Sequence, residues 1–80
     1  MENRGYAQRV ILANKKANAK NFGVKLGRYC IGAEVPVREI AEELGVSRMT
    51  IYKWFVGETD PREHHVEQIT NYLRRVGFIS

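Results

Sequence analysis

A single cysteine, Cys30, in 80 residues leaves no internal disulfide to form, so nothing in the chain marks an oxidising compartment. No apolar run approaches the roughly 20 residues that cross a bilayer. The opening MENRGYAQRV also lacks the continuous apolar stretch of a secretory signal. The expected location is the cytoplasm, with no membrane partner. Strand-length alternation, internal repeats and low-complexity tracts are all missing. So are a Ser/His/Asp set, a glycine-rich phosphate loop and a clustered carboxylate pair. The sequence describes no enzyme and implies no cofactor.

What is present is enough for one small domain. Hydrophobic content is 44% and charged content 28%, the balance of a folded chain and not of a disordered one. At this length a single core is only just sufficient. Thirteen basic and nine acidic residues leave a formal charge of +4. Its position says more than its size. The first twenty residues hold Arg4, Arg9, Lys15, Lys16 and Lys20 against Glu2, which leaves eight of each sign in the other sixty. Residues 1–18 read as a basic arm, flexible or a short helix around Val10, Ile11 and Leu12. Such an arm on a neutral body suits a polyanion. It equally suits a solvated tail.

Residues 19–80 read as the folded domain. Phe22, Leu26, Tyr29 and Cys30 share a stripe on a helix from about Ala19 to Ile31, so Tyr29 and Cys30 are expected in the core. Gly23 and Gly27 cost that helix about 1 kcal/mol each relative to Ala. Their small-xxx-small spacing is expected to be incidental. Asp60, Pro61 and Glu63 form a start signal, with Asp60 as N-cap and Pro61 at the first helical position. Val66, Ile69, Tyr72, Leu73 and Val76 then line one face of a last helix, and Gly77 ends it as a left-handed cap. The expected fold is all-α, a compact bundle of four to five helices.

The segment Val37 to Gly57, VREIAEELGVSRMTIYKWFVG, is the most specific part. Val37, Ile40, Ala41 and Leu44 recur at the spacing of one helix face. Pro36 suits the first turn of that helix. Gly45 reaches positive φ without steric cost and permits a sharp turn. Val46 is expected as a buried plug, and Ser47 as the cap of a helix over 47–55. Ile51, Trp54 and Phe55 face inward on it. Arg48, Met49, Tyr52 and Lys53 are left outside, near the helix start, where a helix reading a major groove carries its donors. This is a helix-turn-helix pattern.

From about Phe22 to Val76 the chain resembles the lambda-repressor/Cro-like helix-turn-helix family of phage and bacterial regulators. Ala41, Gly45, Val46, Ser47, Ile51, Trp54, the Phe55-Val56-Gly57 exit, Pro61, Ile69 and Leu73 carry the likeness. The resemblance implies a sequence-specific regulator of transcription, in particular a phage-type repressor that binds a double-stranded operator as a dimer. The helix at 47–55, third from Ala19, would enter the major groove. Ser47, Arg48, Met49, Tyr52 and Lys53 would face DNA, with Arg48 suited to guanine O6 and N7 and Met49 to a thymine methyl. Ser47 and Thr50, with the helix's free amides, would hold a phosphate. Many members carry Gln at the first position of the preceding helix, as a phosphate contact that braces the reading helix. Val37 stands there and cannot hydrogen-bond, so Arg38 is the substitute. The basic residues before the first helix resemble the DNA-wrapping arm of some repressors.

Other features have plainer readings. Adjacent His64 and His65 point about 100° apart on a helix and make a poor metal site. They are expected in the exposed first turn of the last helix, and no metal is expected. Glu39, Glu42 and Glu43 form a solvated outer face. Phe78 and Ile79 either pack back on the core or join two copies in a homodimer. Two other roles fit the same fold. One is a small phage protein that binds a host protein such as RNA polymerase. The other is the DNA-binding part of a packaging or recombination complex.

Overall fold

In the computed structural model, which describes residues 5–80, the chain forms five helices: α1 (Gln8–Lys16), α2 (Phe22–Ala33), α3 (Val37–Leu44), α4 (Arg48–Phe55) and α5 (Glu63–Arg75). No strand occurs among the described residues. Arg4, of the expected arm, lies outside them. The expected bundle is therefore present, with a helix at 8–16 that makes the helix expected over 47–55 the fourth.

Helix α2 is the hub, packing against α1, α4 and α5. Its first turn is set by Asn21, whose side-chain oxygen accepts from the Gly23 N–H at 2.7 Å and the Val24 N–H at 3.3 Å. That cap places the helix start at Phe22, not near Ala19. At its other end Glu34 takes a left-handed conformation, φ 59°, and the Val35 N–H donates to Cys30 O at 2.8 Å. Leu26, Cys30, Ile40, Ile51, Phe55, Ile69 and Leu73 meet in one almost solvent-free core. Tyr29 is only half-buried, at its edge.

Gly23 and Gly27 are not incidental. A Cβ on Gly23 would sit 2.7 Å from Trp54 Cβ, and one on Gly27 would sit 2.9 Å from Phe55 Cγ and 2.6 Å from Asn14 Nδ2. The two glycines are the surface against which α4 lies, and close approach of the two helices requires them. The propensity they lose in α2 is offset by the contact they allow.

The start of α5 also departs from expectation. Arg62 holds the N-cap position without a side-chain bond, and the helix begins at Glu63. Asp60 does not cap it, because its carboxylate accepts from the side-chain amide of Asn21. One asparagine thus caps α2 and anchors the loop that leads to α5. At the far end Gly77 has φ 80° and the Phe78 N–H donates to Leu73 O at 2.8 Å, closing the helix as a left-handed cap does. The tail folds back: Phe78 meets Tyr29 edge-on at 5.5 Å and Ile79 packs against the core.

The segment ahead of α2 is tied down from Tyr6 onward. The Tyr6 hydroxyl donates to Val35 O at 2.6 Å, and its ring lies 6.1 Å from that of Phe55. The Asn14 side-chain amide donates to Phe55 O at 2.7 Å and to Val24 O at 3.2 Å. Arg28 donates to the carbonyl oxygens of Asn14, Lys15 and Ala17 at 3.1–3.4 Å, a cation at the negative end of α1. Of the two forms expected for this segment, flexible or a short helix, residues 8–16 take the helix, fastened at both ends.

Candidate nucleic-acid interface

Helix α4 owes its position to a short chain of local causes. Gly45 ends α3 with φ 71°, and the Val46 N–H returns to Ala41 O at 3.1 Å. Val46 is half-buried against the core and not fully enclosed. Ser47 then caps α4: its Oγ accepts from the Thr50 N–H at 3.1 Å and lies 3.0 Å from Thr50 Oγ1. Ile51, Trp54 and Phe55 are buried, which fixes the rotation of the helix.

With that rotation, Arg48, Met49 and Tyr52 face solvent together, and Lys53 is half-exposed beside them. Met49 is 66% exposed, more than a side chain with a packing role would be. Thr50 is half-buried, its hydroxyl already engaged with Ser47. The same hydroxyl pair stands beside the free amides of the α4 N-terminus, the positive end of its dipole.

Arg38 is exposed in the first turn of α3. Val37 beside it is buried, 6% exposed, and belongs to the core. That is why an apolar residue stands at the position. Lys15 and Lys16 are exposed in the last turn of α1, and Lys20 in the loop after it. Arg9 sits apart from them, near the start of α1, and lines a cleft that this helix forms with the outer face of α4.

Residues outside this face have structural roles. Trp54 is buried and carries His65 against its ring, centroids 5.1 Å apart. The His64 and His65 rings also meet, at 4.0 Å, where helical spacing alone directs them apart. His65 is half-buried and His64 exposed. Partial burial, then His64 and Arg62, holds His65 below the usual histidine range. Among the described residues no three metal-ligating side chains come together. Burial pushes the Cys30 thiol up to about 12, with Glu39 adding to the shift. Glu39, Glu42 and Glu43 are exposed, and Glu43 pairs with Arg75 at 2.9 Å.

Tyr6 and Asn14 are the residues that sequence reasoning missed. Val10, Ala13, Asn14 and Ala17 do recur at helical spacing, but a central Asn and three nearby lysines disguise the face.

A short, capped helix held across a second helix by a glycine turn, with long donors on its free side, defines a helix-turn-helix domain. The model of the helix-turn-helix family matches residues 35–78, just over half of the chain, and the protein belongs to that family in its lambda-repressor-like, XRE-type form. The family is one of DNA-binding regulatory domains and not a catalytic one. Comparison with curated proteins and with solved structures finds no significant match. Among the described residues no helix is long and apolar enough to cross a membrane.

Proposed function

We propose that this protein is a sequence-specific repressor of phage type, acting in the bacterial cytoplasm by occupying an operator with α4 in the major groove. The observation that carries the reading is the joint exposure of Arg48, Met49 and Tyr52 on the side of α4 opposite Ile51, Trp54 and Phe55. Arg48 reads guanine through O6 and N7, and Met49 covers a thymine methyl. Ser47, Thr50 and the α4 amides hold a phosphate, with Arg38 on the next one along. Lys53 and Tyr52 complete the face. Lys15, Lys16 and Lys20 add attraction that is independent of sequence.

Two copies bind one operator, joined through exposed Phe78 and half-buried Ile79, just past the end of α5. Selection from a random duplex library tests both parts. A recovered site with two-fold symmetry and half-sites about one helical turn apart supports the dimeric repressor. Recovery of no preferred sequence, with capture of host RNA polymerase instead, would overturn it.

A further inference from the structure

The cleft between α1 and α4 has a volume of about 880 Å³ and is open to solvent. Its walls are apolar on both sides, with the N-cap residue Ala7 and Val10 and Ala13 of α1 facing Met49 and Tyr52 of α4 and Val56 just past its end. Its charges are unequal. Arg9 stands on the α1 wall and Arg48 and Lys53 on the α4 wall, against Glu58 alone, just past the end of α4. Cations on two facing walls concentrate a polyanion between them. The alanines keep the trough wide, and its apolar lining suits the carbon face of a sugar.

The position of the cleft narrows the occupant. A major groove is about 12 Å wide and admits one helix, so α1 cannot enter beside α4. What borders a helix in that groove is the sugar–phosphate ridge of one strand. We propose that the α1–α4 cleft seats this ridge, with Arg9 and Lys53 neutralising its phosphates from opposite sides. The proposal rests on the reading of α4 as the helix that enters the groove. It makes α1 a rigid second jaw, held by Tyr6, Asn14 and Arg28 before DNA arrives. A flexible arm would lose its freedom at binding, and this helix has lost it on folding. Of the described cations ahead of α2, Arg9 is the one that lines the cleft.

The test uses the full chain and the duplex that it recovers from a random library. Arg9→Ala is expected to weaken binding three- to tenfold, equally for the recovered duplex and a scrambled one. It should also reduce the slope of log K against log salt by about 0.9, the share of one phosphate. Ala7→Asp separates the interface from stability. Ala7 is the N-cap of α1 and makes no side-chain cap bond, so Asp there supplies one and raises the melting temperature. The same carboxylate stands in the cleft and should lower affinity at least tenfold. An iron chelate on Ala7→Cys, with Cys30 buried and unreactive, should cut the backbone beside the recovered site. If the duplex is recovered but Arg9→Ala and Ala7→Asp bind it like the parent, the seated strand is wrong and the groove-reading helix stands. If no duplex is recovered, both fall.

Discussion

The Asn14 side-chain amide donates to the carbonyl oxygen of Phe55 at 2.7 Å, across 41 residues of chain. Phe55 is the last residue of α4, and its carbonyl is one of the four that a helix end leaves without an internal partner. The bond therefore closes α4 and attaches α1 to it in one contact. Asn14 is 3% exposed, and its amide also reaches Val24 O. Replacing it with Leu leaves two buried carbonyls without that donor. The expected loss is about 1–3 kcal/mol of stability, measured by urea unfolding.

Glycine substitutions in α2 should split by position. Gly27→Ala adds a methyl 2.6 Å from Asn14 Nδ2 and 2.9 Å from Phe55 Cγ, and is expected to cost about 1–3 kcal/mol despite the better helix propensity. Gly32→Ala meets nothing within 4 Å in the same helix and should stabilise by about 0.4–1 kcal/mol. Thermal unfolding of the pair decides it, and equal effects would remove the helix-crossing role of Gly27.

Variants on the outer face of α4 should divide specificity from affinity. Arg48→Ala is expected to cost about 1–3 kcal/mol on the selected duplex and to relax preference at one base pair. Lys53→Ala should weaken all duplexes alike and flatten the salt dependence. Fluorescence anisotropy at several salt concentrations reads both. Arg48→Ala binding that falls equally on every sequence would remove Arg48 as a base reader.

Ser47→Ala removes the α4 cap, at a cost of about 0.5–2 kcal/mol, while Ser47→Gly should cost only a few tenths. The two variants lack the same hydroxyl, so a phosphate role would lower their DNA affinity by a similar factor. Melting curves and binding isotherms on the two proteins separate the contributions.

Stability should fall on both sides of a plateau between about pH 6.5 and 9. Cys30 and Tyr72 are pushed up to about 12, from ordinary values of 9.0 and 10.0, chiefly by burial. Tyr6 is raised as well. A raised acid contributes in full below its unfolded value, and its contribution drains away as pH climbs toward the folded one. His65 is shifted the other way, so its contribution is present above the usual 6.5 and declines as pH falls through its folded value. Chemical denaturation from pH 5 to 11 checks the shape. A profile that keeps rising above pH 9 would contradict the burial of these hydroxyls and the thiol.

Much of the candidate interface was legible because its causes are short-range. Gly45, Ser47 and the apolar triplet Ile51, Trp54 and Phe55 act within about ten residues, and together they set which side of α4 is free. Asp60 does not follow its local capping pattern because its partner, Asn21, is distant in sequence. Val37 stands where a polar contact is expected, and its burial in the core accounts for the apolar side chain. Gly23 and Gly27 carry a cost in local propensity, and only the packing of α4 on them gives the reason for it.

By itself the sequence determined an all-helical chain, the turn at Gly45, the cap at Ser47 and the outward set Arg48, Met49, Tyr52 and Lys53. Periodicity, propensity and capping depend on neighbours a few residues away, so one chain read in order contains them. Tertiary structure alone decided between a flexible segment and a helix over residues 8–16, set that helix beside the outer face of α4, and gave Arg9 and Lys53 a shared cleft. Those placements depend on Tyr6 meeting Val35, Asn14 meeting Phe55, and two glycines opening space for α4. Such contacts join distant segments whose partners share no local pattern, and they form only when the core closes.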